Sequence, residues 1–333
     1  MTQMTHRDTA AGDGAPLRVR ALGSFHIGGE EVHLSGLAPD VLPISGGIGS
    51  VSMDPNGAYE VGQMYVQFVR LAGERDRAPV LLMHGGGMTG AMWESTPDGR
   101  TGWQSRLLEA GHDVYVADSV ERGRASWARY PDIYPAPPLF RSKKDIWEAF
   151  RIGPMGTYEA DPAARTPYPA TAFPLDAFDQ LAKQCVPRWT HTDALALAAY
   201  RRCLERIGPC ALVAHSQGCA FAFALAVEMP SLVEAVVAIE PGGFPGPDAD
   251  LASLVDVPLA VLWGDNVEDH PFWGPTRLRS KDFVDAVTAA GGRAELVDLP
   301  TVGIAGNSHL PMGDLNSDAV AALVTGRLSG APT

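Results

Sequence analysis

Residues 211–220 read Ala-Leu-Val-Ala-His-Ser-Gln-Gly-Cys-Ala. The apolar run up to His215 suits a strand inside a sheet, and the Ala- and Phe-rich run from Gln217 reads as a helix that starts at once. Ser216 therefore falls on an abrupt strand-to-helix turn. Such a turn pushes the hydroxyl out above the sheet and aims the first helical N–H groups at the same spot, as attack by serine on an acyl carbon requires. Gly218 leaves room for the helix to approach the strand. Ala214 stands where this motif usually has glycine and is the smallest substitute. Cys219, one turn into the helix, reads as a packing residue.

Alternation continues on both sides of this turn. Downstream come strand 233–240, strand 258–263, a helix over 280–290 closed by Gly291-Gly292, strand 294–299 and a last helix over 315–328. Upstream, helix 192–207 is capped by Gly208. The strand 80–83 runs into His84-Gly85-Gly86-Gly87, and helix 103–110 leads into a parallel strand at 112–117. Segments 17–34 and 59–71 predict an antiparallel start to the sheet, with a loop over 37–57 between them. These units predict an α/β fold, a mostly parallel central sheet with helices on both faces. Residues 121–189 are rich in Pro, Tyr, Trp and Phe and read as a lid or cap insertion with short helices near 143–150 and 175–184. The expected organisation is one domain over 17–328, with residues 1–16 a flexible N-terminal segment.

At 46% apolar and 20% charged residues, the 333-residue chain can bury a large core. Its formal charge of -13 repels phosphate backbones and anionic lipid, so neither nucleic acid nor a membrane is an expected partner. No apolar stretch is long enough to cross a bilayer and no export signal is visible, so the cytoplasm is favoured over export. Cys185, Cys203, Cys210 and Cys219 have no metal-site spacing. Cys203 and Cys210 are close enough in sequence for a disulfide across a helix-to-strand turn, but separate buried thiols are the preferred reading. Neither metal nor organic cofactor is expected.

An acyl-transfer site needs backbone N–H groups converging on one oxygen, and side chains kept clear of it. Gly85 or Gly86 and Gln217 are the candidate donors. The glycine run lacks the Lys and Ser/Thr of a nucleotide loop. His309, in Gly306-Asn-Ser-His-Leu-Pro after the last strand, falls on the same sheet edge as Ser216 and is the candidate base. His215 is expected to point away from Ser216, and His84 to support the glycine loop; His270 is a weaker base candidate. For the acid, Glu240 closes an apolar strand ahead of Pro241 and two glycines and is preferred over Asp265. Trp93, Trp127, Tyr130, Tyr134, Phe140 and Phe272 are candidates to line an apolar substrate cavity.

With Ser216, the glycine loop and His309 in place, the chain resembles the α/β-hydrolase superfamily over roughly residues 17–328. Within it, the chain looks like the small group of bacterial carboxylesterases of the esterase 713 type. That resemblance implies a triad of Ser216 in AHSQG, Glu240 in AIEPGG and His309 in GNSHLP. It also implies a lid after the strand ending near Ala117, and a homodimer. The expected activity is hydrolysis of a small to medium, apolar or aromatic ester through an acyl-enzyme. A lactone, an amide, a carbon–carbon bond or an acyl acceptor other than water are alternatives for the same triad, and a binding protein on a degenerate hydrolase fold is the non-enzyme alternative.

Overall fold

The computed structural model describes residues 16–73 and 76–329. The N-terminal segment expected over 1–16 lies almost wholly outside the described residues. Two long strands, β1 (Val19–Leu34) and, after the hairpin β2 (Asp40–Pro43) and β3 (Ser50–Met53), β4 (Gly57–Leu71), open the sheet as an antiparallel pair. The hairpin lies inside the segment expected to be all loop. Its strands are four residues each and mostly exposed, too short and too wet for apolar alternation to reveal them.

Next come β5 (Val80–Met83), the short helix α1 (Ala91–Glu94), α2 (Trp103–Glu109) and β6 (Val114–Asp118). Then α3 (Lys143–Ala149), α4 (Phe178–Gln184) and α5 (Asp193–Ile207) lead to β7 (Cys210–His215) and α6 (Gln217–Glu228). The chain ends in β8 (Val233–Ile239), β9 (Leu259–Trp263), α7 (Trp273–Ala289), β10 (Ala294–Asp298) and α8 (Ser317–Leu328). The eight-stranded sheet runs β1-β4-β6-β5-β7-β8-β9-β10. β4 pairs antiparallel with β6, and every pairing from β6 to β10 is parallel.

Every residue of β5, β6, β7 and β9 is buried, because both faces are covered. Successive side chains go to opposite faces. Leu81, Met83, Leu212 and Ala214 join Tyr200, Phe223 and Phe283 in one core, while Val80, Leu82 and Val213 join Leu107, Val320 and Val324 in the other. The parallel strands all end on one edge, where Met83 faces Ala214, His215 faces Ile239, and Ile239 faces Leu262. That edge receives the glycine loop, Ser216, Glu240 and Gly264 side by side.

Helix α7 begins at Trp273, seven residues before the predicted start at 280. Gly274 and Pro275 look like helix breakers, but both fall in the first turn, where proline's missing N–H would have had no partner. All four cysteines are free, so the disulfide alternative for Cys203 and Cys210 is not realised. Both are fully buried thiols packed with Leu204 and Leu212.

Candidate active site

Ser216 sits at φ 51°, ψ -115°, a conformation that costs a residue with a Cβ of the order of 1–3 kcal/mol. The surrounding backbone holds it there. Its N–H donates to the Ile239 carbonyl (3.0 Å), and its carbonyl accepts from Gly242 N–H (2.9 Å) and Cys219 N–H (3.1 Å). A Cβ on Gly218 would stand 2.8 Å from both the Met83 and the His84 carbonyl oxygens, so only glycine lets α6 start this close to β5. Cys219 directs its Sγ at the Ala214 carbonyl (3.3 Å), which fits the packing role expected of it.

His309 reaches this point from the loop between β10 and α8. The Ser216 hydroxyl donates to His309 Nε2 (3.1 Å), and His309 Nδ1–H donates to Glu240 Oε2 (2.7 Å). The carboxylate assigns the tautomer, since an ionised Glu240 can only accept. Burial pushes His309 down to about 4, against the opposing pull of Glu240, so the ring is neutral at neutral pH. Glu240, at φ 52° and wholly buried, would be raised by burial, but the neighbouring Arg151 guanidinium and the His309 hydrogen bond bring it to about 2. Gly264 N–H also donates to its Oε1 (2.7 Å).

Arg151 was not singled out in the sequence. It is 1% exposed, and its two terminal nitrogens reach the two oxygens of Glu240 at 2.6 and 2.5 Å. Its Nε donates to the Asp265 carbonyl (2.8 Å). Nothing in the string Ala149-Phe-Arg-Ile-Gly153 marks this contact, which spans 89 residues of sequence. The alternative acid, Asp265, is turned elsewhere, with its Oδ2 accepting the Asn307 N–H (2.9 Å). Asp314 is a second buried acid absent from the sequence reading. It accepts from Ser308 N–H (2.8 Å), Ser308 Oγ–H (2.8 Å) and Asn307 Nδ2 (3.1 Å), thereby bracing the two residues before His309.

His215 is turned to the histidine loop: its ring lies 4.7 Å from that of His309, and its Nε2–H donates to the His309 carbonyl (2.7 Å). A strand-end side chain follows the pleat, and here the pleat aims it under the histidine loop. His84 does brace the glycine loop, through Nδ1–H to the Gly85 carbonyl (2.9 Å) and by accepting Ser119 N–H at Nε2 (3.0 Å). His270 caps the start of α7 instead of facing Ser216, as its Nδ1 accepts from the Phe272 and Trp273 amides at 3.2 Å each.

The glycine loop touches the turn at Ser216. A Cβ on Gly85 would stand 3.0 Å from Ser216 Cβ and 2.5 Å from His215 Nδ1, and one on Gly86 would stand 3.1 Å from Gln217 Oε1. The amide of Gln217, the first residue of α6, has no carbonyl four residues back within the helix.

The aromatic candidates scatter. Trp93 is fully buried against Trp103 in the α2/α8 core; its position on the four-residue α1 turns it inward. Tyr134 is also buried, with its hydroxyl donating to Glu121 Oε1 (2.8 Å) and its ring packed on Trp189 and His191. Trp127 packs edge-on against Trp189, while Tyr130 and Phe140 are exposed. Phe272, half exposed, packs on Trp273, and it is Trp273 that stacks on His309 at 4.0 Å. Alternation and spacing could not distinguish these neighbouring aromatics, since helix α7 was placed too late to include either.

Among the described residues no cluster of His, Cys, Asp and Glu could hold a metal ion, and no helix is long and apolar enough to cross a membrane. The family profile described as the alpha/beta hydrolase fold matches residues 78–280. A solved structure described as a novel bacterial esterase is 31% identical, with a TM-score of 0.81, covering 96% of this chain and 98% of that one. A probable secreted lipase, phiG, of a fungal species is 31% identical over 195 residues, 57% of this chain. The match takes in 52% of the lipase, so the chain spans about half the length of that curated relative. Fold, profile and relatives agree: the chain belongs to the α/β-hydrolase fold family, and within it is of the esterase type.

Proposed function

We propose that this protein is a serine carboxylic-ester hydrolase with Ser216 as nucleophile, His309 as general base and acid, and Glu240 as the residue that orients His309. The observation that carries this reading is the continuous chain Ser216 Oγ, His309 Nε2, His309 Nδ1, Glu240 Oε2, with links of 3.1 and 2.7 Å. His309 takes the Ser216 proton as Oγ attacks the ester carbonyl, and the negative charge on oxygen is met by the amides of Gln217 and of Gly85 or Gly86. His309 then gives that proton to the departing alcohol. Water, deprotonated by the same ring, releases the acid and restores Ser216. Residues 121–189, inside a single domain spanning 17–328, form the wall over this edge. Phe272 is the aromatic candidate for the substrate cavity, since it adjoins the Trp273 ring that covers His309.

The test is labelling by a fluorophosphonate together with turnover of a p-nitrophenyl ester panel by wild type, Ser216→Ala, Glu240→Gln and Asp265→Asn. Loss of labelling and turnover in Ser216→Ala, a large loss of turnover in Glu240→Gln and little change in Asp265→Asn are expected. Folded wild type that neither labels nor turns over any ester would point instead to a binding protein on this fold.

A further inference from the structure

Two arginine side chains, Arg188 and Arg141, flank the Gly86-Gly87 turn, a third, Arg122, feels the charge of Arg188, and the proposed ester chemistry uses none of them. Arg188 Cζ lies 3.4 Å from where a Cβ on Gly86 would stand, and the Arg141 side chain lies 3.6 Å from the same point on Gly87. Their segments are tied to the turn. Val186 N–H donates to the Gly87 carbonyl (2.8 Å), and Leu139 and Arg188 exchange backbone bonds of 2.7 and 3.1 Å. Arg122, just beyond the catalytic end of β6, adjoins Arg188. Burial first, and then repulsion by Arg188, push it down to about 10.

Part of each guanidinium lacks a protein partner. Arg122 is 3% exposed, yet its Nε and Nη1 are buried without a hydrogen bond, as are the Nε atoms of Arg141 and Arg188. The nearby carboxylates do not supply the deficit. Asp145 pairs with Arg141 (2.7 Å), Asp193 accepts Gln217 Nε2 (2.8 Å), and Glu121 is taken by the Tyr134 hydroxyl and the Ala128 amide. Among the described residues neither Arg122 nor Arg188 is ion-paired. Withdrawing a guanidinium from water without a partner is costly, and placing several together compounds the cost by repulsion.

We propose that Arg122, Arg141 and Arg188 form a specificity site for an ester that carries a second, ionised carboxylate, held on the Gly86-Gly87 side of Ser216. The guanidinium fork matches a carboxylate in geometry as well as charge. This inference rests on the serine-esterase reading. A guanidinium acting on the oxyanion itself would serve every ester equally, and the experiment separates the two roles.

Two matched pairs of esters carry the test: mono-p-nitrophenyl glutarate against p-nitrophenyl pentanoate, and 4-carboxyphenyl butyrate against phenyl butyrate. The first places the carboxylate on the acyl side and the second on the alcohol side. Wild type should favour the charged member of at least one pair in kcat/KM by about tenfold or more, and added salt should erode the preference. In Arg188→Gln and Arg122→Gln the ratio of charged to neutral kcat/KM should fall by about tenfold, and Arg188→Lys should recover part of it. Should a variant fail to fold, wild type alone decides: free glutarate should slow fluorophosphonate labelling at millimolar concentration where pentanamide does not. Turnover of the neutral esters with no charge preference, or an equal loss on both members of a pair in Arg188→Gln, would overturn the inference and leave the esterase reading standing. Absence of both labelling and turnover would overturn the two together.

Discussion

Burial sets His309 low, and Glu240 and Arg151 then act on it in opposite directions. A carboxylate in a dry site would ordinarily be raised until it protonates and stops accepting from His309. Arg151 prevents this, and its charge also contributes to keeping His309 low, after burial. The His309 ring, the proposed base, is therefore neutral across the neutral range. Ester turnover should hold from neutral pH down to about 5 and fall as the pH drops through about 4, read from kcat/KM against pH. Replacing Arg151 by Met should move that acid limb to higher pH, because a positive charge beside the imidazole is gone. It should also destabilise the fold by roughly 3–5 kcal/mol in urea unfolding, since Glu240 is left buried without its cation. Glu240→Gln removes the acceptor that sets the tautomer and should lower kcat by about 10⁴-fold.

At the level of elements, the start of α6 is the tightest junction. A glycine in an exposed helix is usually improved by alanine, by about 1 kcal/mol. At Gly218 the sign reverses, because the added methyl would press at 2.8 Å on two backbone oxygens, of Met83 at the end of β5 and of His84 just after it, that cannot swing aside. Gly218→Ala should therefore lower stability by about 1–3 kcal/mol and, by tilting α6, slow fluorophosphonate labelling of Ser216. Scanning calorimetry and labelling rate check the two effects. Gly326 is the contrast: it is also helical, in α8, but nothing lies within 4 Å of its would-be Cβ, so Gly326→Ala should be neutral or stabilising by up to about 1 kcal/mol.

Across the molecule, four buried histidines, His84, His112, His215 and His309, are held below the ordinary 6.5, first by burial. Burial lowers His84 and His309 to about 4 and His215 well below 6.5. Below pH 6.5 the unfolded chain takes up protons at these positions while the fold does not, so stability falls as the pH falls from 6.5 towards 4. His84 and His309 each account for up to roughly 3 kcal/mol of that loss. Asp314 works in the opposite sense. Burial raises it to about 7, so between 7 and the ordinary 3.8 the fold binds a proton that the unfolded chain does not, and stability rises there as the pH falls. Urea midpoints at a series of pH values should show a net decline below 6.5, and a steeper one in Asp314→Asn, where the opposing group is removed.

Much of this was legible in the sequence because the informative features are local. An apolar run that stops at Ser216 and turns at once into a helix marks a central parallel strand wherever it occurs, and the repeating units around it leave a doubly covered sheet as the economical packing. Since parallel strands share one catalytic edge, Glu240 and His309 could be assigned to the neighbourhood of Ser216 without coordinates. What depends on contacts between distant segments was not legible. Arg151 meets Glu240 across 89 residues, His215 turns under His309, Trp273 covers the histidine ring, and Trp93 lies in the core. The sequence by itself determined the layers and the edge, because strand and helix periods are properties of neighbouring residues. Only the tertiary structure decided which charges and rings surround the site, because an aromatic or an arginine in an irregular segment carries no period, and its surroundings are set by whatever the rest of the chain brings beside it.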